Sequence, residues 1–76
     1  MMDVDQELDL KGMNCPLPLL KAKQAISRMQ SGQVIRVYAT DPGSVRDFAS
    51  FANISGHILL ASEEEHGVYI HTLQHK

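Results

Sequence analysis

Residues 8–20, LDLKGMNCPLPLL, decide the fold and carry the only cysteine of the chain, Cys15. Residues 8–11 alternate apolar and polar side chains, which predicts a short strand with one buried face. Residues 19–29 are rich in Leu, Ala, Lys, Gln and Ile and contain no Gly or Pro, which predicts a helix. Proline suits the first helical turn, where a backbone N–H has no partner to lose. Pro16 and Pro18 therefore place Cys15 at or next to the N-cap.

This position predicts the chemistry of the cysteine. The positive end of the helix dipole favours the thiolate, which is the nucleophilic form, so we expect an exposed Cys15 with a lowered thiol pKa. Pro16 and Pro18 remove two backbone donors and leave the N–H groups of Leu17 and Leu19 to meet the sulfur. The alternative is that Cys15 is a small buried hydrophobe, as free cysteines often are.

The remaining composition excludes several kinds of site. One cysteine cannot form an internal disulfide, so a reactive Cys15 must pass its chemistry to another molecule. The four histidines show no compact zinc spacing with the cysteine, so we expect no metal and no cofactor. Residues 41–44, DPGS, hold one glycine and no lysine, unlike a phosphate-binding loop. A Cys–His pair stays open, because its members need only be near in space.

Length and composition predict one domain over residues 1–76, with residues 1–6 flexible. The chain is 43% hydrophobic and 21% charged, as expected for a folded domain with a thin core. No apolar run approaches the roughly 20 residues of a membrane span. The acidic N-terminus lacks the features of a signal peptide, and a free thiol suits the cytoplasm, so we expect a cytoplasmic protein without a membrane partner. The net charge of −2 argues against strong direct binding of nucleic acid.

The pattern along the chain predicts the element order β-α-β-α-β-β. Ser31-Gly32 ends the first helix, and residues 33–39 alternate as a strand with one buried face. Asp41-Pro42 is typical of an N-cap followed by a proline, and predicts the start of a second helix. The core side of this helix is predicted from four residues at helical spacing: Val45, Phe48, Ala49 and Ala52.

Residues 57–61 and 68–73 are apolar runs that predict the last two strands, joined by an exposed hairpin loop over residues 62–67. Right-handed crossovers then place both helices on one face of a mixed four-stranded sheet, an α+β fold built as a two-layer α/β sandwich. The other sheet face is expected to show Arg36, Tyr38, Tyr69 and His71. Such a basic and aromatic face can bind RNA, although a solvated face is the simpler interpretation.

The first helix has two predicted sides. Its core stripe is expected to be Leu19, Ala22, Ala25, Ile26 and Met29. The opposite side is expected to show Leu17, Leu20, Lys21, Gln24 and Arg28. Two exposed leucines beside a reactive thiol suggest a surface where a partner protein closes over the sulfur. We call this surface the docking rim and define it as Leu17, Leu20 and Lys21, flanked by Lys23 and Arg28.

The turn Gly12-Met13-Asn14-Cys15-Pro16-Leu17-Pro18 resembles the Gly-x-x-Cys-Pro-x-Pro turn of the TusA/SirA-like sulfur-carrier family. The likeness runs from residue 8 to residue 73 and includes MQSG at 29–32, DP at 41–42, RD at 46–47 and GH at 56–57. The resemblance implies a β-α-β-α-β-β sandwich similar to the C-terminal domain of bacterial translation initiation factor 3. It also implies that Gly12, Pro16 and Pro18 are motif residues that support Cys15.

The resemblance further implies a sulfurtransferase-type carrier, in which Cys15 accepts sulfane sulfur as a persulfide and passes it on. The donor would be a cysteine desulfurase or a rhodanese-like protein, and the receiver a downstream sulfur-acceptor protein. Branches of the family serve tRNA thiolation, sulfur oxidation, molybdenum cofactor supply or selenium metabolism. The alternative function is a regulatory or nucleic-acid-binding module in which the cysteine is incidental or senses redox state.

Overall fold

Six elements make up the computed structural model, which describes residues 4–76. They are β1 (Gln6–Leu10), α1 (Leu17–Ser27), β2 (Val34–Ala39), α2 (Ser44–Ser55), β3 (Ile58–Glu65) and β4 (Val68–Gln74). This order confirms the predicted β-α-β-α-β-β fold. The flexibility expected for residues 1–6 stays a prediction, and residues 1–3 lie outside the described residues. Asp5 exchanges two hydrogen bonds with Val34: its N–H donates to the Val34 carbonyl at 2.8 Å, and its carboxylate accepts the Val34 N–H at 2.7 Å.

The sheet is mixed, as predicted, with the strand order β1-β2-β4-β3. β1 and β2 pair in parallel, while β4 is antiparallel to both β2 and β3. Both helices pack on one face of the sheet, and the core lies between the two layers. Its buried members are Leu10, Ala22, Ile26, Ile35, Val37, Phe48 and Leu73. Leu19, Ala25 and Met29 pack at the margin of this core, which confirms the predicted buried stripe of α1.

The start of α2 differs from the prediction. The helix begins at Ser44 with Gly43 as its N-cap, so Asp41 is not the cap that the Asp-Pro pattern indicated. Ser44 and Phe48 are buried, which turns the neighbouring stripe of Val45 and Ala49 toward solvent. The core positions predicted for Val45 and Ala49 were therefore wrong, and Val45 is 43% exposed.

The hairpin between β3 and β4 is also tighter than predicted. The loop expected over residues 62–67 is strand as far as Glu65, and only His66 and Gly67 form the turn. Both turn residues have positive φ, 52° and 81°, which is the backbone that a two-residue hairpin turn requires. The run Glu63–Glu65 misled the prediction because it lies on an edge strand whose side chains are exposed, so strand and loop look alike there.

The strand register places two aromatic residues on the other side from the one predicted. Tyr69 pairs with Ala39 and His71 with Val37, so both side chains lie on the helix-covered face. His71 is fully buried there. Arg36 and Tyr38 do lie on the open face. Their polar groups approach one oxygen of Glu7: the Tyr38 hydroxyl donates to it at 2.7 Å, and the Arg36 Nη1 lies 3.8 Å away.

Candidate functional site

Cys15 is exposed and immediately precedes Pro16, the N-cap residue of α1. This is the position that the two prolines predicted. The Leu17 N–H donates to the Asn14 carbonyl at 2.9 Å, and the Leu20 N–H donates to the Pro16 carbonyl at 3.0 Å. The expectation that the Leu17 N–H meets the sulfur was therefore wrong. A backbone turn uses that donor instead.

The motif residues around the cysteine shape the turn between β1 and α1. Gly12 has a φ of +86°, in the left-handed region that favours glycine. Its N–H donates to Thr40 Oγ1 at 2.9 Å, which fastens the turn to the end of β2. Pro18 is buried within the first turn of α1, whereas Pro16 is exposed. Their role in supporting Cys15 stays a prediction, and the geometry is compatible with it.

Two carboxylates contact Cys15, one for each of its donors. The Cys15 N–H donates to Asp41 Oδ2 at 2.9 Å, and the thiol Sγ donates to Asp47 Oδ2 at 2.9 Å. Asp41 lies in the connection between β2 and α2, and its Oδ1 also accepts the Gly43 N–H at 3.4 Å. Asp47 lies in the first turn of α2, where the helix dipole favours a negative charge. Neither contact was predicted from the sequence, because they join residues 26 and 32 positions apart.

These carboxylates reverse the predicted ionisation of the thiol. The hydrogen bond to Asp47, the partial loss of hydration, and the charges of Asp47 and Asp41 all raise the pKa of the Cys15 thiol. A negative neighbour disfavours the thiolate, and a hydrogen bond from the neutral thiol to a carboxylate stabilises the protonated form. The expected lowering of the pKa was therefore wrong. The protonated thiol is favoured by Asp47 of α2 and by Asp41 of the connection that precedes it.

An open depression of about 740 Å³ lies beside the sulfur. Its lining consists of Cys15, Pro42, Gly43, Val45, Arg46, Asp47 and Ala49. Val45 and Ala49 form an apolar wall of the depression. Asp47 contributes a carboxylate and Arg46 a guanidinium group. The depression therefore opens the Cys15 sulfur toward the start of α2, and this helix supplies most of the walls.

The docking rim lies on α1, apart from this depression. Leu17 is 46% and Leu20 49% exposed, and Lys21 is also exposed. The Lys23 Nζ lies over the ring of Phe51, 5.6 Å from its centre. Arg28 is the C-cap residue, about 16 Å from Leu17 along the helix axis at 1.5 Å per residue. None of these side chains lines the depression, and their role in binding a partner stays a prediction.

Other kinds of site find little support among residues 4–76. Within this range no group of three or more His, Cys, Asp or Glu side chains is arranged to hold a metal ion. No helix of the described chain is long and apolar enough to cross a membrane. His71 is engaged on both ring nitrogens by Ser44 and Ser62, and the thiol of Cys15 bonds to an aspartate. The Cys–His pair left open by the sequence is thus not formed with His71.

The model of the family described as "Sulfurtransferase TusA" matches residues 6–75. The chain belongs to this family. It is similar to the sulfur carrier protein TusA of Allochromatium vinosum, with 56% identity over 69 residues that cover 91% of each chain. A longer protein from Aquifex aeolicus is 48% identical over 63 residues, which are 83% of this chain and 32% of that protein.

A solved structure supports the same TusA assignment. The crystal structure of a SirA-like protein from Desulfitobacterium hafniense superimposes with a TM-score of 0.81 at 26% sequence identity. The match covers 91% of this chain and 95% of the other. The resemblance inferred from the Cys-Pro-x-Pro turn is thereby confirmed at the level of family and fold.

Proposed function

We propose that this chain is a sulfur carrier that takes up sulfane sulfur as a persulfide on Cys15 and relays it to a partner protein. The observation that carries the proposal is the exposed, single cysteine at the start of α1, facing an open depression. Membership in the TusA family and similarity to a relative named as a sulfur carrier support it. A carrier needs a sulfur atom that one protein can load and another can unload. The exposure of the Cys15 side chain suits that exchange.

The loading step balances without an added oxidant. The Cys15 sulfur attacks the terminal sulfur of a persulfide on the donor, a new S–S bond forms at Sγ, and the S–S bond of the donor breaks. The donor leaves as a thiolate and takes up the proton that Cys15 loses, so one thiol and one persulfide are exchanged for another pair. Since the described chain has no second cysteine near this sulfur, the persulfide is not resolved within the chain and awaits an acceptor.

The partners of this exchange are proposed from the family to which the chain belongs. The donor is a cysteine desulfurase or a rhodanese-like protein, and the acceptor is a downstream protein of tRNA thiolation, sulfur oxidation or cofactor biosynthesis. The docking rim on α1 contacts the donor: its leucines exclude water around the persulfide, and its cations attract an acidic surface and raise the association rate. A persistent free thiol fits the reducing cytoplasm, where we place the reaction.

Loading by a desulfurase tests the proposal. The protein is incubated with a cysteine desulfurase and cysteine, and its intact mass is measured. We expect the wild type to gain the mass of one sulfur atom, in a form that a reducing agent removes. The Cys15→Ser variant is the matched control and should gain nothing. Unchanged mass of the wild type, or equal uptake by the variant, would exclude Cys15 as the carrier atom.

A further inference from the structure

The hydrogen bond between Cys15 and Asp47 depends on whether the cysteine carries the transferred sulfur as a persulfide. In the free protein Sγ is the donor and Asp47 Oδ2 the acceptor, 2.9 Å apart. An ionised carboxylate has acceptors only, so the bond requires a hydrogen on Sγ. In a persulfide Sγ is bonded to Cβ and to the second sulfur and carries no hydrogen. The contact that holds the thiol is therefore lost on loading.

Loading also brings a negative charge toward the same carboxylate. The terminal sulfur of a persulfide ionises more readily than a thiol, and its anion would lie near Asp47 and Asp41, the two carboxylates that contact Cys15. The ion pairs found among residues 4–76 involve neither aspartate. Like charges at short range are unfavourable, and Arg46, which lines the same depression, forms no ion pair with either aspartate within residues 4–76.

We propose that Asp47 is a positioning residue that binds the unloaded thiol and repels the persulfide, so that it biases sulfur exchange on Cys15 toward discharge. This inference rests on the proposed carrier function. In the unloaded state the carboxylate keeps Sγ turned toward α2. In the loaded state it directs the terminal sulfur away from its own carboxylate and toward solvent, where an acceptor reaches it.

The raised pKa of the Cys15 thiol agrees with this role, since its largest cause is the same hydrogen bond. Substitution of Asp41 provides a matched control for substitution of Asp47. Asp41 carries the same charge near the same residue, but it accepts the backbone N–H, which loading leaves in place. The two aspartates therefore separate the effect of a nearby charge from that of a hydrogen bond to the reacting atom.

Exchange with a small-molecule donor measures the bias directly. The protein is equilibrated with glutathione persulfide and glutathione at fixed ratio, and the loaded fraction is read by intact mass. We expect Asp47→Asn to raise the ratio of loaded to unloaded protein about two- to fivefold, the range that an interaction between exposed charges supports. Asp41→Asn should change it less, and Asp47→Glu should move it back toward the wild type.

Alkylation of the unloaded thiol against pH provides the second readout, which a merely structural role would not move. Asp47→Asn should shift the midpoint to lower pH, because the thiolate no longer faces a carboxylate. Unchanged midpoint and loaded fraction in Asp47→Asn, or equal shifts in Asp41→Asn, would overturn the proposal. If the wild type takes up no sulfur from either donor, the carrier function fails, and the alkylation arm alone then decides whether Asp47 holds the thiol.

Discussion

Cys15 meets opposing influences from the two helices. It stands at the start of α1, where the dipole favours a negative sulfur, yet its side chain bonds to an acid from the first turn of α2. The dipole acts along the axis, whereas the Asp47 oxygen lies within hydrogen-bond distance of Sγ, and this contact is the largest cause that raises the pKa of the thiol. A protonated thiol is a poorer nucleophile than a thiolate, so the carboxylate lowers the reactivity of the free cysteine.

A second titratable residue is engaged in the core. His71 is fully buried, with Nε2 hydrogen-bonded to Ser44 Oγ at 2.9 Å and Nδ1 to Ser62 Oγ. Its ring stacks on Phe48, with 4.5 Å between the ring centres. A neutral imidazole donates through one nitrogen and accepts through the other, so the two hydroxyls satisfy it without charge. Burial lowers the pKa of His71, because the charged form loses its hydration.

Stability is expected to fall in acid because of this histidine. Its pKa is lower in the folded than in the unfolded state, so the unfolded chain binds the extra proton first. The free energy of unfolding should decrease as the pH falls below about 6.5, with a slope of up to about 1.4 kcal/mol per pH unit for one proton. Urea unfolding at pH 7 to 5 measures it.

The His71→Gln variant should flatten this pH dependence, since glutamine offers the two serines an amide donor and acceptor without titrating. His66→Gln, in the exposed hairpin turn, is the matched control and should keep the wild-type slope. His57 also has a lowered pKa, from burial and the neighbouring charges of His75 and Lys76, and accounts for a residual slope. A slope unaltered by His71→Gln would mean that this ring does not govern the acid sensitivity.

At the scale of elements, the exposed side of α1 is the surface to test for donor docking. Leu20 is 49% exposed and lies one turn beyond Cys15 and Pro16. Leu20→Asp should slow loading by a desulfurase about tenfold, because an apolar contact that excludes water is replaced by a charge. The free energy of unfolding should change by no more than about 0.5 kcal/mol, as for other exposed positions.

Ile54→Asp provides the matched control for this prediction. Ile54 is 85% exposed near the end of α2, away from the first turn that holds Asp47. The same chemical change there should leave loading at the wild-type rate. Unchanged loading in Leu20→Asp would place the donor elsewhere, with the apolar wall of Val45 and Ala49 as the next surface to substitute.

The local sequence pattern predicted the helices and strands correctly where the conformational preferences of neighbouring residues determine them. Pro16 and Pro18 fixed the start of α1, and alternation in β2 identified Ile35 and Val37 as core. The prediction of buried faces failed where a contact between residues far apart in the chain determines which side chains are buried. Periodicity gave α2 a buried face that included Val45, because the sequence does not reveal that Ser44 is held by His71 of β4.

The candidate site divides in the same way. The identity of the reactive atom and its place beside the N-cap follow from four consecutive residues, 15–18. Its environment does not, since Asp41 and Asp47 reach it only after β1 and β2 have paired in parallel and brought the starts of both helices together. The sequence predicted influences on the thiol pKa from α1 alone. Asp47 of α2 also acts on this pKa and raises it.

At the scale of the whole molecule, charge argues against RNA binding on the open sheet face. Arg36 approaches Glu7, and the register adds Asp9 and Glu63 to the same side, opposite Tyr38 and Ile70. We expect no saturable binding of labelled tRNA up to about 100 μM protein at physiological salt, measured by fluorescence anisotropy. A micromolar Kd with a steep salt dependence would instead favour the nucleic-acid-binding module.

The two ends of the described chain meet at the same end of β2. Asp5 bonds to Val34, and the His75 N–H donates to the Gln33 carbonyl at 2.8 Å. Cys15 is hydrogen-bonded to Asp41, beyond the other end of β2, which is about 17 Å long from Val34 to Ala39 at 3.3 Å per residue. A segment joined at either end of the chain would therefore leave the thiol exposed at the opposite end of the sandwich, accessible to a loading and an unloading partner.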